Sequence, residues 1–90
     1  TLRAVERAEA SLHALGFDDC RVRHHGPVAR IEVPEERLAE ALQLRLALVD
    51  AVRAAGYRFV SLDLEGFSSG RMNRLLEPAT AGGAPEEGAQ

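Results

Sequence analysis

A chain of 90 residues is long enough for one small domain, which would bury about 60 to 65% of the surface that its unfolded form exposes. Apolar residues make up 46% and charged residues 28%, a globular composition. The net charge of -3 argues against a nucleic-acid partner, the single Cys20 excludes an internal disulfide, and no apolar run approaches the roughly 18 residues that span a bilayer. We therefore expect a cytoplasmic protein without a membrane partner.

The first element is predicted to be an amphipathic helix. Its apolar residues recur at the helical spacing of three and four positions: Leu2, Val5, Ala8, Leu12 and Leu15. Gly16 follows as a left-handed residue that ends the helix, and Phe17 can fold back onto the last turn.

Two runs of alternating polarity come next, at 20–25 and 28–33, and only a short turn with Gly26 and Pro27 joins them. This pattern predicts a β-hairpin. Because side chains alternate between the faces of a strand, one face should carry Cys20, Val22, Ala29, Ile31 and Val33. The opposite face should then carry Arg21, Arg23, Arg30 and Glu32.

A second helix is predicted from Pro34, which suits a first helical turn, to about Ala55, with Gly56 as its stop. Its apolar face would consist of Leu38, Ala41, Leu42, Leu48, Val49 and Val52. A third strand follows, in which inward residues alternate with outward ones: Val60, Leu62 and Leu64 with Phe59, Ser61 and Asp63.

The predicted architecture is thus a small α/β (α+β) domain with the order α-β-β-α-β. Two helices would pack on one face of a three-stranded sheet. We expect this domain to occupy residues 1–76. The tail 77–90 is rich in glycine, with Pro85 and a pair of glutamates, and should remain disordered.

The outward face of the sheet is the strongest candidate for chemistry. If the third strand pairs as expected, Asp63 joins three arginines and Glu32 there. Guanidinium groups present planar donor forks that suit phosphate or carboxylate, and Arg21 and Arg23 are therefore candidate ligands for an anion. Glu32 and Asp63 could orient the arginines or bind a cation. The alternative is a solvated face with weak cross-strand ion pairs, each contributing under about 1 kcal/mol.

The other reactive residues give weaker signals. His24 and His25 are adjacent on a strand and should point to opposite faces, which makes them poor partners for one metal ion. Cys20 on the inward face should behave as a small apolar residue, not as a nucleophile. The glycine-rich segment after Leu64 lacks the spacing of a phosphate-binding loop. We assign no catalytic residue within this chain, and the sequence does not determine whether it contributes a metal ligand.

Five short segments carry a resemblance to a known family. They are residues 5–10 (VERAEA), 21–26 (RVRHHG), 29–33 (ARIEV), 62–67 (LDLEGF) and 69–73 (SGRMN). Their order and spacing resemble the C-terminal region of the LarE-type sulfur transferases over roughly residues 2–76. One departure is Arg71, which stands where the family commonly has Ser.

The resemblance implies an ATP-dependent sulfur transferase that thiolates a pyridinium dicarboxylate mononucleotide during synthesis of the nickel-pincer cofactor of lactate racemase. An N-terminal PP-loop domain of the ATP pyrophosphatase type would bind ATP and Mg, and it would lie before Thr1 together with any sacrificial cysteine. The missing Met at position 1 also points to a longer polypeptide. This chain alone is expected to bind neither cofactor.

The resemblance further implies roles for individual residues of the chain. Arg21 and Arg23 match arginines of the family and, with Arg30, would hold the phosphate or a carboxylate of the nucleotide. Glu9 and Glu32 match acidic positions around the sulfur-transfer site, to which Asp63 is added from the sheet pattern. The domain would also contribute contacts within a homo-oligomer and with its own PP-loop domain.

Two rival hypotheses come from other classes. One is a structural assembly module whose exposed arginines pair with carboxylates of a neighbouring subunit. The other is a free-standing sensor of a small anion, which requires a gene that encodes only this region.

Overall fold

The computed structural model describes residues 1–67, and these form the predicted α-β-β-α-β order with one change in the second helical segment. Its elements are α1 (Leu2–Ala14), β1 (Arg21–His25), β2 (Val28–Glu32), a 3₁₀ turn (Glu35–Arg37), α2 (Leu38–Gln43), α3 (Arg45–Ala54) and β3 (Phe59–Leu62). The predicted domain boundary at residue 76 and the predicted disorder of 77–90 lie outside the described residues.

The three strands form one mixed sheet in the order β1-β2-β3. β1 and β2 pair antiparallel around the turn at Gly26, as the hairpin pattern predicts. β3 pairs parallel with the other edge of β2, because the intervening helical segment crosses over the sheet and returns the chain in the same direction.

The helices lie on one face of the sheet, and the hydrophobic core is between the two layers. α1 contacts β1 and α3, and α3 contacts β3. All five residues predicted for the inward face of the hairpin are buried. The largest fully buried side chains are Leu12, Phe17, Ile31, Val33 and Val52.

Both predicted glycine stops are confirmed. Gly16 has φ +102° and Gly56 has φ +118°, a backbone region that residues with a Cβ rarely adopt. The Phe17 N–H donates to Leu12 O at 3.0 Å, and this bond folds the phenylalanine back onto the last turn of α1. Phe17 is therefore almost fully buried.

The prediction of one continuous helix from Pro34 to Ala55 was wrong. The segment begins with the 3₁₀ turn, and the helix is interrupted at Leu44, where φ is -100° and ψ is 21°. The sequence contains no glycine or proline here to signal a break. The bend lets α3 bury Leu48 and Val52, while Leu42, expected on the apolar face, is 53% exposed. Packing against α1 and β3 thus overrides local helix propensity.

The end of the third strand also differs from the prediction. β3 stops at Leu62, and Leu64 is exposed instead of inward. The Asp63 side chain accepts a hydrogen bond from the Glu65 N–H at 3.0 Å, and the Asp63 carbonyl accepts one from the Gly66 N–H. These bonds close a turn.

After this turn the chain returns to the end of β2. The Phe67 N–H donates to Val33 O at 3.0 Å, and Phe67 forms an isolated parallel bridge with Pro34. Gly66 permits this approach: a Cβ at that position would lie 2.8 Å from Val33 O. Part of the glycine-rich segment therefore has a structural role, and the rest of it lies outside the described residues.

Candidate functional site

The sheet face opposite the helices carries the charged residues that the sequence predicted. The register places Arg21 opposite Glu32 and Arg23 opposite Arg30. The parallel pairing with β3 brings Asp63 next to β2, where its N–H donates to Ile31 O at 2.9 Å. Four of these side chains interact directly, whereas Arg21 stands apart.

Arg30 is the centre of the interacting group. Its Nη1 donates to Glu32 Oε2 at 2.6 Å and to Asp63 Oδ2 at 2.7 Å. Glu32 uses its other oxygen, Oε1, to accept a hydrogen bond of 3.3 Å from Arg23 Nε. We call Arg23, Arg30, Glu32 and Asp63 the arginine–carboxylate network.

The two carboxylates of this network are much less exposed than the two guanidinium groups. The side chains of Glu32 and Asp63 are 7% and 13% exposed, whereas those of Arg30 and Arg23 are 33% and 49% exposed. Ion pairs between neighbouring strands are present, as in the alternative interpretation, but their carboxylates are largely shielded from solvent. Removing one partner of such a pair would leave a charge with little access to water.

Arg21 and Glu9 lie at the outer edge of β1. Within the described part of the chain, Arg21 is exposed and makes no hydrogen bond or ion pair. Glu9 Oε2 accepts a hydrogen bond of 2.9 Å from the Val22 N–H. This carboxylate therefore caps a backbone donor at the edge of the sheet, a contact that the helical pattern of α1 did not indicate.

A polar hollow of about 320 Å³ lies beside these two residues. It is lined by Glu9, His13, Asp18, Asp19, Cys20, Arg21 and Phe67. One guanidinium and three carboxylates around one hollow would suit a ligand that carries charges of both signs. Within residues 1–67, however, no three such side chains are grouped so that they could hold a metal ion.

The histidines point to opposite faces, as predicted. His24 Nδ1 lies 2.8 Å from the Tyr57 hydroxyl on the core side, whereas His25 Nε2 lies 3.3 Å from Arg30 Nε on the charged side. Cys20 is 4% exposed, and burial, with a smaller contribution from Glu9, raises the pKa of its thiol from 9.0 to about 11. It therefore stays protonated at neutral pH, in line with the expectation that it is not a nucleophile.

Two polar side chains with structural roles were missed in the sequence. Arg37 donates to Gly16 O at 2.6 Å and lies 4.3 Å from the centre of the Phe17 ring. Tyr57 is buried with its hydroxyl against His24. Tyr57 directly follows a glycine stop, where an apolar residue commonly packs back on the helix, and a buried hydroxyl requires a partner; these two signals could have identified it.

The described residues define a small α+β domain whose open sheet face presents arginines held by carboxylates. No family model matches the chain. It is 45% identical over 75 residues to the pyridinium-3,5-bisthiocarboxylic acid mononucleotide synthase of Lactiplantibacillus plantarum, covering 83% of this chain and 27% of that protein. It is 43% identical over 77 residues to an uncharacterized protein of Synechocystis, covering 83% of this chain and 29% of that protein.

The chain therefore spans less than a third of the curated relatives that it matches. The identity over 83% of this chain is consistent with the C-terminal domain of LarE, the pyridinium-3,5-bisthiocarboxylic acid mononucleotide synthase.

None of the helices within residues 1–67 is long and apolar enough to cross a membrane.

Proposed function

We propose that this domain is the substrate-side part of an ATP-dependent sulfur transferase in nickel-pincer cofactor synthesis. The substrate would be a pyridinium dicarboxylate mononucleotide, and ATP with Mg would bind to a PP-loop domain elsewhere in the polypeptide. The proposal is supported by the similarity to a pyridinium-3,5-bisthiocarboxylic acid mononucleotide synthase. It places the protein in a reducing, cytoplasmic compartment.

One observation carries the domain's own part in this function. Arg21 and Arg23 lie on the same sheet face, both exposed, two positions apart on β1. Arg21 has no hydrogen-bond partner within residues 1–67, and Arg23 uses only its Nε. The terminal amino groups of both arginines can therefore donate to a phosphate or carboxylate.

The acidic residues would assist in different ways. Glu32 and Asp63 hold the guanidinium groups in place, and Arg30 adds a third positive charge to the anion-binding face. Glu9 and Arg21 line the same hollow. There the carboxylate would lie near the positively charged pyridinium ring while the guanidinium binds an anionic group.

The test is a double variant, Arg21→Ala with Arg23→Ala, in the longest native polypeptide that contains this chain. Loss of two charge-assisted ligands should weaken binding of the pyridinium dicarboxylate mononucleotide by about 3 kcal/mol or more, measured by calorimetry. The matched control is Arg53→Ala with Arg58→Ala, which removes the same charge from exposed sites outside the charged face. Unchanged affinity in the first double variant would eliminate the proposed role.

A second candidate function, assembly, is favoured by a different surface. An apolar groove of about 210 Å³ lies between the α2–α3 segment and the edge strand β3. Two large apolar side chains of this segment, Leu42 and Leu46, are 53% and 64% exposed. An apolar surface beside an unpaired strand edge within the described residues is typical of a contact between subunits.

The assembly role predicts a mass that depends on protein concentration. Sedimentation equilibrium of the chain should show association that Leu42→Glu with Leu46→Glu abolishes, whereas Ala39→Glu with Gln43→Glu, also at exposed positions of α2, leaves it intact. A wild-type chain that is monomeric at all concentrations would contradict this role. If such a chain still bound the nucleotide, only the first proposed function would be supported.

A further inference from the structure

We infer that Arg30 is a positioning residue for Arg23 and does not bind the anion itself. In this assignment Arg30 acts through Glu32, and Asp63 fixes Arg30. The inference deepens the proposed function and depends on it, because it concerns how the same sheet face presents a donor to the phosphate or carboxylate of the substrate.

Arg30 has already used more of its donor atoms than Arg23 has. Arg30 Nη1 is shared between Glu32 and Asp63, and its Nε points at His25 Nε2. Arg23 donates only through Nε. Of the two arginines, Arg23 thus keeps both terminal amino groups for a planar, two-point contact with an oxyanion.

The exposure of the two arginine side chains supports the same assignment. The side chain of Arg23 is 49% exposed and that of Arg30 is 33% exposed, while the carboxylate between them is 7% exposed. Arg30 sits over the less accessible centre of the sheet, on the middle strand β2. An approaching anion would therefore meet the guanidinium of Arg23 more readily.

Arg30 also sets the orientation of Glu32. A carboxylate can accept both donors of one guanidinium fork in a bidentate pair. Here Glu32 is shared between two guanidinium groups, because Arg30 Nη1 donates to Oε2 at 2.6 Å and Arg23 Nε donates to Oε1 at 3.3 Å. Arg30 therefore fixes one oxygen of Glu32 and, with it, the direction in which the other oxygen holds the Arg23 guanidinium.

Asp63, at the end of the neighbouring strand, completes the arginine–carboxylate network. Its Oδ2 holds the same Nη1 atom at 2.7 Å, and its Oδ1 accepts the Glu65 N–H that closes the turn after β3. Arg30 is therefore fixed from both sides, and Arg23 is held ready for an anion before binding. Holding a flexible side chain in its bound geometry raises affinity because less conformational freedom is lost on binding.

A double-mutant cycle of Arg30→Lys and Arg23→Ala tests the assignment. Lysine keeps the positive charge but carries it on one freely rotating ammonium group, which orients Glu32 and Asp63 less rigidly than the planar guanidinium does. The assay is the dissociation constant of the pyridinium dicarboxylate mononucleotide for the longest native polypeptide. We expect Arg30→Lys to raise this constant about tenfold in the wild-type background and to have no further effect when Arg23 is already alanine.

Additive losses in the cycle would overturn the inference, because they would mean that Arg30 contacts the anion or acts independently of Arg23. Unchanged affinity in Arg30→Lys would overturn it as well. If Arg23→Ala alone has no effect, the proposed function fails for Arg23, and this result is distinguishable from the other two.

A folding defect is separated by two further measurements. Thermal unfolding of each variant checks stability, and Asp63→Asn removes one support of Arg30 while leaving Glu32 charged. Asp63→Asn should also weaken binding, again only while Arg23 is present. The control Arg53→Lys, at an exposed position of α3, should leave the dissociation constant unchanged. Weakened binding in the control, or a loss in Asp63→Asn that persists without Arg23, would refute the assignment.

Discussion

The bond between Glu9 and the backbone of β1 should contribute measurably to stability. Glu9 Oε2 lies 2.9 Å from the Val22 N–H and connects α1 to the outer edge of the sheet. A hydrogen bond to a charged acceptor contributes about 2 kcal/mol. Glu9→Ala removes it but gains about 0.4 kcal/mol of helix propensity, so the net loss should be about 1.5 kcal/mol.

Urea unfolding followed by circular dichroism measures this loss, and for a domain of this size it corresponds to a fall in Tm of about 6 to 12 °C. Glu6→Ala is the matched control, because it makes the same change at an exposed position of the same helix that has no side-chain bond within residues 1–67. Glu9→Gln keeps an oxygen acceptor and should recover about half of the loss, since a neutral bond contributes about 1 kcal/mol.

Free energies of unfolding of Glu9→Ala and Glu6→Ala within about 0.5 kcal/mol of each other would refute this contribution of Glu9. In that case the Val22 N–H would be equally well satisfied by water. Glu9 would then have no structural role at this edge, and the acidic-site role from the family resemblance would be the remaining explanation for a carboxylate at this position.

Two further outcomes are expected from the backbone and the buried thiol. Gly66→Ala should destabilise the domain by about 3 kcal/mol, since the new Cβ would lie 2.8 Å from Val33 O. At Gly26 the new Cβ would have open space, so that Gly26→Ala should lose only about 1 kcal/mol in the same urea titration. Equal losses in the two variants would contradict this account. Because burial raises the pKa of Cys20 from 9.0 to about 11, its alkylation by iodoacetamide at pH 8 should be about 100-fold slower in the folded chain than in urea. The folded rate should rise between pH 9 and 11, and stability should fall over this range as the thiol ionises; equal folded and unfolded rates would disprove the burial effect.

Most of the fold could be predicted because alternation marks both strands of the hairpin and a glycine marks the end of each helical segment. The alternation in the hairpin assigns its inward residues correctly, since each side of a strand sees either the core or the opposite face. Gly16 and Gly56 mark both helix ends for the same conformational reason. These signals are local, and each depends on only a few neighbouring residues.

The errors come from two features that hydrophobic periodicity does not report, namely packing between distant elements and a turn closed by a side chain. The bend at Leu44 has no glycine or proline to announce it, and it follows from how α3 packs on α1 and β3. Leu64 continues the alternation of β3, but the turn made by Asp63 ends the strand two residues earlier. Local periodicity cannot report where a neighbouring element forces the chain to turn.

In the candidate site, too, the face on which each residue lies could be predicted from the sequence, whereas the contacts between residues far apart in the chain could not. Alternation was sufficient to place three arginines and Glu32 on one face. It placed Asp63 beside them only on the assumption that the third strand pairs with the hairpin. It could not indicate which guanidinium would be engaged, because Arg30 and Asp63 are 33 positions apart and meet only through the parallel pairing of β2 and β3.

That difference changes the chemistry expected of the face. Three equivalent arginines would form a diffuse positive surface, attractive to many anions and sensitive to salt. In the structure two carboxylates balance two of the positive charges, and Arg21 and Arg23 on β1 keep both terminal amino groups without a hydrogen-bond partner within residues 1–67. Selectivity would then come from the geometry of these two guanidinium groups on one strand and less from net charge. A substrate with several anionic groups at fixed separations, as in a pyridinium dicarboxylate mononucleotide, is the kind of ligand that such an arrangement can distinguish from free phosphate.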